Sequence, residues 1–213
     1  MGTQLSFTEA IMDMLCLNPL YFLGLAVTGL LLIYLFKRDN HLPKIRITIS
    51  SILLYYYLCI VLTNVVGIPT ISEFNRLTKL GLAWFNPNIS FIPFVDEIGL
   101  EFILNIICFM PLGFLCPFIS KSYVQLKNAA LIGLGLSLVI EFSQLFTLYR
   151  ATDINDLIAN VLGTILGCCC FKFIAGIGNR KSGSKQSLSL SCNSTQVLPV
   201  LITVCAFVIV FIN

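Results

Sequence analysis

Six apolar stretches, each close to the length that crosses a bilayer, dominate this sequence. A transmembrane helix needs about 20 mostly apolar residues to cross a hydrocarbon core of about 30 Å. The stretches are continuous rather than alternating at every second residue, which favours helices over the strands of a barrel. We therefore predict an all-α fold, a polytopic integral membrane helical bundle. Its transmembrane helices, about six in number, are predicted at residues 19–36, 47–66, 99–119, 129–148, 155–175 and 196–212.

The composition agrees with a membrane protein and bears on its partners. Hydrophobic residues make up 57% of the chain and charged residues only 11%, whereas a soluble domain has about 25% charged residues. The net charge of +3 is small, so no electrostatic surface for nucleic acid is expected. The lipid bilayer is the predicted partner.

The basic residues are distributed unevenly between the two sides of the predicted bundle. Segments 37–46, 120–128 and 172–185 carry 10 of the 13 lysines and arginines, and Asp39 is the only acid among them. The predicted helices place all three segments on the same side, which the positive-inside rule assigns to the cytoplasm. This distribution predicts a multi-pass protein of the plasma or inner membrane with both termini extracytoplasmic.

The segment between the second and third predicted spans, residues 67–98, then lies outside. Apolar residues recur in it every three or four positions from Ile71 to Trp84, which predicts a helix on the outer leaflet. The stretch FNPNISFIPF that follows is predicted to be extended and interrupted by proline.

Polar side chains recur near the outer ends of three predicted helices. Gly133, Ser137, Glu141 and Gln144 are spaced by 4, 4 and 3 residues, so they share one helical face. At 1.5 Å per residue, Glu141 lies about 10 Å below the outer surface. Charges at such depth are costly when they face lipid, so these groups should face inward or line a polar pocket. The candidate pocket residues are Asn105, Glu141, Gln144, Arg150, Asp153, Asp156 and Asn160.

Most of these residues also have a structural interpretation. Asp153 fits a helix N-cap, Asn105 and Asn160 fit hydrogen bonds between helices, and Pro111 fits a kink. Gly163 and Gly167 fit a close helix contact through small residues. Glu141 requires a cation, a proton or water at its depth, and Arg150 is the nearest positive side chain in the sequence.

Catalytic and cofactor signals are sparse. His41 is the only histidine, and the predicted topology separates it from every carboxylate of the candidate pocket. Chemistry that uses a histidine base or a histidine-ligated metal is therefore not expected on the outer side. The cysteines lack CxxC spacing and lie mostly within predicted spans. We predict neither a cofactor nor a metal.

The order NISFIPF, LNIICFMPLGFL, LSLVIEFSQLF and RATDINDLIANVLGTILG resembles the VanZ family, bacterial membrane proteins named for an accessory of teicoplanin resistance. The resemblance covers roughly residues 50–170. It implies a domain division into 1–45 with an extra transmembrane helix, 46–175 as the VanZ-like membrane domain, and 176–213 as a basic linker with a C-terminal helix. The matching residues are Pro93, Phe94, Asn105, Pro111, Gly113, Glu141, Gln144, Asp153, Asp156, Asn160 and Gly163.

Three functions are compatible with the resemblance and the polar residues. The first is a non-enzymatic envelope protein linked to antibiotic resistance, which binds or shields a lipid-linked cell-wall precursor or a lipoglycopeptide in the outer leaflet. The second is an intramembrane enzyme acting on a lipid-linked precursor, with Glu141 as general base and Asp153 and Asp156 holding a divalent cation. The third is a small proton-coupled transporter that uses Glu141. The separation of His41 from the candidate pocket and the absence of a recognised nucleophile disfavour the second.

Overall fold

The chain was analysed as a computed structural model, which describes residues 18–85, 87, 89–90, 99–147, 152–181 and 195–213. These ranges are almost entirely helical. Their helices and strands are α1 Pro19–Arg38, α2 Lys44–Ile60, α3 Ile71–Lys79, β1 Ile89–Ser90, α4 Leu100–Ile119, α5 Leu126–Gln144, β2 Thr152–Asp153, α6 Ile154–Lys181 and α7 Leu198–Ile212. A π-helical segment, Val61–Val66, continues α2, and a 3-10 turn, Lys121–Val124, precedes α5.

The predicted all-α membrane bundle is confirmed. Helices α1, α4, α5 and α6, and the long segment that begins with α2, are each long and apolar enough to span a bilayer. The sixth predicted span corresponds to α7, which is apolar but has only 15 residues. The observed ends differ from the predicted ones by a few residues: α5 ends at Gln144 rather than 148, and α6 runs to Lys181 rather than 175.

Helix α2 lies at the centre of the apolar core. It packs against α1, α4 and α7, and its Leu54 and Leu58 are completely buried. Its tyrosine hydroxyls find acceptors on neighbouring backbones: Tyr55 donates to the carbonyl of Tyr21 at 2.9 Å, and Tyr57 to that of Cys108 at 2.6 Å. Protein atoms thus satisfy both of these hydroxyls, as a lipid surrounding requires.

Helices α4 and α6 form the closest helix pair. A Cβ built on Gly163 would overlap the carbonyl oxygen of Ile106, and one on Gly167 would overlap that of Met110. In the opposite direction, a Cβ on Gly113 would overlap the Thr164 carbonyl. The two backbones approach so closely because glycine has no side chain at these points.

The prolines of α4 do not end it. The helix is assigned continuously from Leu100 to Ile119 through Pro111 and Pro117. Prolines are tolerated in such helices because neighbouring helices and local adjustments satisfy the backbone groups that they free.

The segment after α2 folds over one end of the bundle. Thr70 caps α3 by accepting the N–H of Glu73 at 3.3 Å. The helix ends at Lys79, earlier than the apolar periodicity to Trp84 predicts, because a turn follows in which Gly81 has φ +68°. The Phe74 ring lies 6.0 Å from Trp84; it is also 6.4 Å from Phe146 after α5 and 6.1 Å from Phe211 of α7.

The two ends of the bundle differ in chemistry. We call the end at which α1 and α4 finish and α2, α5 and α7 begin the basic end; it carries Lys37, Arg38, Lys44, Lys121 and Lys127. We call the opposite end, which carries α3, β1 and β2, the capped end. Asn18 before α1 donates to the Asn213 side chain after α7 there, so these two helices run antiparallel.

Candidate functional site

The predicted polar face of α5 packs against α6. Ser137 is completely buried, and its hydroxyl accepts a hydrogen bond from Asn160 Nδ2 at 3.0 Å. One turn toward the basic end, a Cβ on Gly133 would lie 2.5 Å from Thr164 Oγ1. The Thr164 hydroxyl donates to the Asn160 carbonyl at 2.9 Å. The face is therefore a helix interface, across which Ser137 and Asn160 are paired.

Glu141 connects the end of α5 to the start of α6. Its side chain is 5% exposed, and Oε2 accepts the backbone N–H of Asp153 at 3.0 Å. Its own carbonyl oxygen accepts the Thr152 hydroxyl at 3.0 Å. One buried glutamate thus holds both residues of β2.

Asp153 is the N-cap of α6. Its Oδ1 accepts the backbone N–H of Asn155 at 2.9 Å, which satisfies one of the donors that a helix start leaves without a partner. Backbone pairing holds the same residue from the other side: β1 and β2 are parallel, with Ile89 opposite Thr152 and Ser90 opposite Asp153.

Asp156 connects α6 to α4. Its Oδ1 accepts a hydrogen bond from Asn105 Nδ2 at 2.6 Å, and both side chains are half-buried. Residues at the start of α6 and along it therefore contact two different helices. Asp156, Gly163 and Gly167 lie against α4, whereas Asp153 and Asn160 contact α5.

These contacts are three hydrogen-bonded pairs that link α4, α5 and α6, and we call the group the polar seam. Its buried part lies between α5 and α6, and Asn105, Asp153 and Asp156 form a half-buried edge at the capped end. Predicted pocket residues are thus brought together as hydrogen-bonded partners. The seam consists of Asn105, Ser137, Glu141, Asp153, Asp156 and Asn160.

The remaining predicted residues lie elsewhere. Gln144 is buried at the last turn of α5, where its carbonyl accepts the Thr147 hydroxyl at 2.8 Å. Arg150, Pro93 and Phe94 lie outside the described residues. In the described ranges, no three His, Cys, Asp or Glu side chains are grouped as metal ligands.

Three features of this end were not predicted. They are the hold of Glu141 on Thr152, the pairing of β1 with β2, and the aromatic cluster around Phe146. The sequence signals are weak: β-branched residues stand at Ile89 and Thr152, and Phe142 and Phe146 are one helical turn apart. None of these signals identifies the residue that is contacted.

Among three comparisons with known proteins, the one with protein families finds a match. The VanZ/LLP1 family model matches residues 52–175, more than half of the chain. No curated protein and no solved structure matches the chain. The matched segment runs from α2 into α6 and contains every residue of the polar seam. The chain therefore belongs to the VanZ/LLP1 family.

Proposed function

We propose that this protein binds, without chemical turnover, the polar part of a lipidated ligand at the outer leaflet, and that the ligand is a lipoglycopeptide of the teicoplanin type. The observation that carries the proposal is the arrangement of three carboxylates at the capped end. Asp153 and Asp156 stand half-buried at the edge of the polar seam, and Glu141 is buried behind them.

The charge of the seam indicates which ligand chemistry suits it. Ionised carboxylates only accept hydrogen bonds, and they bind ammonium and N–H donors most strongly when partly removed from water. A lipid-linked precursor that carries phosphate would place negative charge beside Asp153 and Asp156. These two carboxylates would repel the phosphate. A glycopeptide offers amide and ammonium donors instead.

The apolar surface at the same end supports a lipidated ligand. Trp84, Phe85 and Phe142 are each more than half exposed. The Phe146 ring lies 5.7 Å from both Phe85 and Phe142, and Trp84 lies 6.0 Å from Phe74. Aromatic rings at a membrane boundary pack against acyl chains while staying near the headgroups.

The proposal places the capped end outside the cell, because the basic end follows the positive-inside rule. In intact cells, a membrane-impermeant maleimide should therefore label Leu80→Cys, which replaces a 60% exposed side chain beside α3. Lys127→Cys at the basic end should react only after permeabilisation. The parent chain measures background from its native cysteines. The opposite pattern of labelling would place the seam in the cytoplasm.

Asp156→Asn should weaken teicoplanin binding to proteoliposomes about ten- to hundredfold. The asparagine keeps an acceptor for Asn105, so the link between α4 and α6 persists, but the charge is lost. A hydrogen bond to a charged group contributes about 1.5–3 kcal/mol, and 1.4 kcal/mol corresponds to tenfold in affinity. Titration with labelled teicoplanin measures the change.

Glu73→Gln is the matched control. It also removes one carboxylate from the capped end, but from an exposed ion pair with Arg76 on α3, and it should bind teicoplanin as the parent does. Equal affinity of the parent and Asp156→Asn would refute a seam-based site. Equal binding of vancomycin and teicoplanin would refute the role assigned to the acyl chain.

A further inference from the structure

A groove separates α5 from α7 on the lipid-facing surface of the bundle. Its volume is about 320 Å³, and its lining is almost wholly apolar. Gly135 borders open space in it, since a Cβ at that position would meet nothing within 4 Å. The principal lining residues are Leu131, Gly135, Leu136, Val139, Val204 and Phe207.

The groove changes character toward the basic end. A second cavity, of about 200 Å³, shares Leu131, Ile132 and Val200 with it and adds polar walls. These walls come from Tyr123, Asn128 and Gln196. The Tyr123 hydroxyl donates to the Gln196 carbonyl at 2.9 Å, which joins the turn before α5 to the start of α7. The shape is an apolar channel that ends in a polar cup.

The cup favours negative charge. Helices α5 and α7 both begin there, and no side chain caps either start. Helix N-termini carry partial positive charge, which attracts anions. Lys127 stands exposed in the first turn of α5, and Lys121 lies in the turn before it. An apolar channel ending at such a cup has the polarity of an anionic lipid.

We propose that this groove binds one anionic phospholipid of the surrounding bilayer, with an acyl chain between α5 and α7 and its phosphate at the cup beside Lys127 and Gln196. The apolar lining lies within the span of α5, where lipid chains are the surrounding medium. Linker residues 182–194 are mostly polar in sequence and include Lys185, so they do not suit such a channel. The site is separate from the polar seam, which lies at the opposite end.

Native mass spectrometry of the delipidated full-length protein with added phosphatidylglycerol tests the proposal. The parent should retain one lipid at a concentration at which phosphatidylcholine is not retained. Gly135→Phe fills the channel and should lower this retention at least tenfold. Gly176→Phe is the control, because Gly176 on α6 also has open space around it but lies outside the groove.

A second pair of variants tests the headgroup site without changing the channel. Lys127→Gln should reduce phosphatidylglycerol retention severalfold, whereas Lys172→Gln, another exposed lysine toward the same end on α6, should leave it unchanged. Unchanged retention in both Gly135→Phe and Lys127→Gln would overturn the proposal, and so would equal retention of the two phospholipids by the parent. Teicoplanin binding by these variants reports independently on the seam.

Discussion

Gly167→Ala should destabilise the protein, whereas Gly176→Ala should leave its stability unchanged or slightly raised. Both glycines lie on α6, and alanine favours a helix by about 0.5–1 kcal/mol over glycine at either position. At Gly167 the new methyl group would overlap the Met110 carbonyl of α4, whereas at Gly176 it meets nothing within 4 Å. The same substitution therefore has opposite signs at two positions of one helix.

The expected loss at Gly167 is about 1–3 kcal/mol, the usual cost of forcing extra atoms into a packed interface. We expect a cost near the upper end of this range, because the overlapping group is the Met110 backbone carbonyl. A backbone group cannot move aside by changing rotamer, as a side chain can. Thermal denaturation of the purified protein in mild detergent, followed by size-exclusion chromatography, measures the difference between the two variants. A Gly167→Ala protein as stable as the parent would show that α4 and α6 are not in backbone contact.

Glu141→Leu and Glu141→Gln should separate the structural role of this residue from its charge. Leucine is of similar size but cannot accept the N–H of Asp153, so it should lower stability by about 1–3 kcal/mol. Glutamine retains an acceptor oxygen and should fold with near-parental stability. It should nevertheless bind teicoplanin more weakly, because the amide nitrogen that replaces one carboxyl oxygen cannot accept a hydrogen bond from the ligand.

Glu101 provides the control for both variants. It is an exposed glutamate in the first turn of α4 at the same end of the bundle. Glu101→Leu and Glu101→Gln should therefore preserve both denaturation temperature and teicoplanin affinity. If Glu141→Leu were as stable as the parent, the hydrogen bond to Asp153 would not hold β2. If Glu141→Gln bound teicoplanin with full affinity, Glu141 would be structural only.

The spans and the inward face of α5 could be predicted because both follow from the local periodicity of apolar and polar residues. Residues such as Ser137 and Glu141 are spaced so that only one helical face can carry them. The partners could not be predicted in the same way. Five residues at the start of α6 and along it spread over only about 80° of the helix circumference: Asp153, Asp156, Asn160, Gly163 and Gly167. That arc is wide enough to reach two neighbouring helices. Only the packing decides that Asp156 contacts α4 and Asn160 contacts α5.

The contacts of the capped end were the least predictable part. The pairing of Ile89 with Thr152 joins residues more than sixty positions apart, and two-residue strands carry no pattern of their own. The aromatic cluster likewise depends on how α3 folds back over α5 and α7. Hydropathy places such residues near the membrane boundary but does not specify which rings meet.

The glycine contacts between α4 and α6 also determine which part of the protein can move. Gly113, Gly163 and Gly167 lock the two backbones at three successive points, so this pair should behave as one rigid body. Helix α5 is attached to it by side-chain hydrogen bonds and a single tight glycine, Gly133. We therefore expect a motion that opens the polar seam to a ligand to move α5 relative to α4 and α6. This motion would break the hydrogen bond between Glu141 and Asp153.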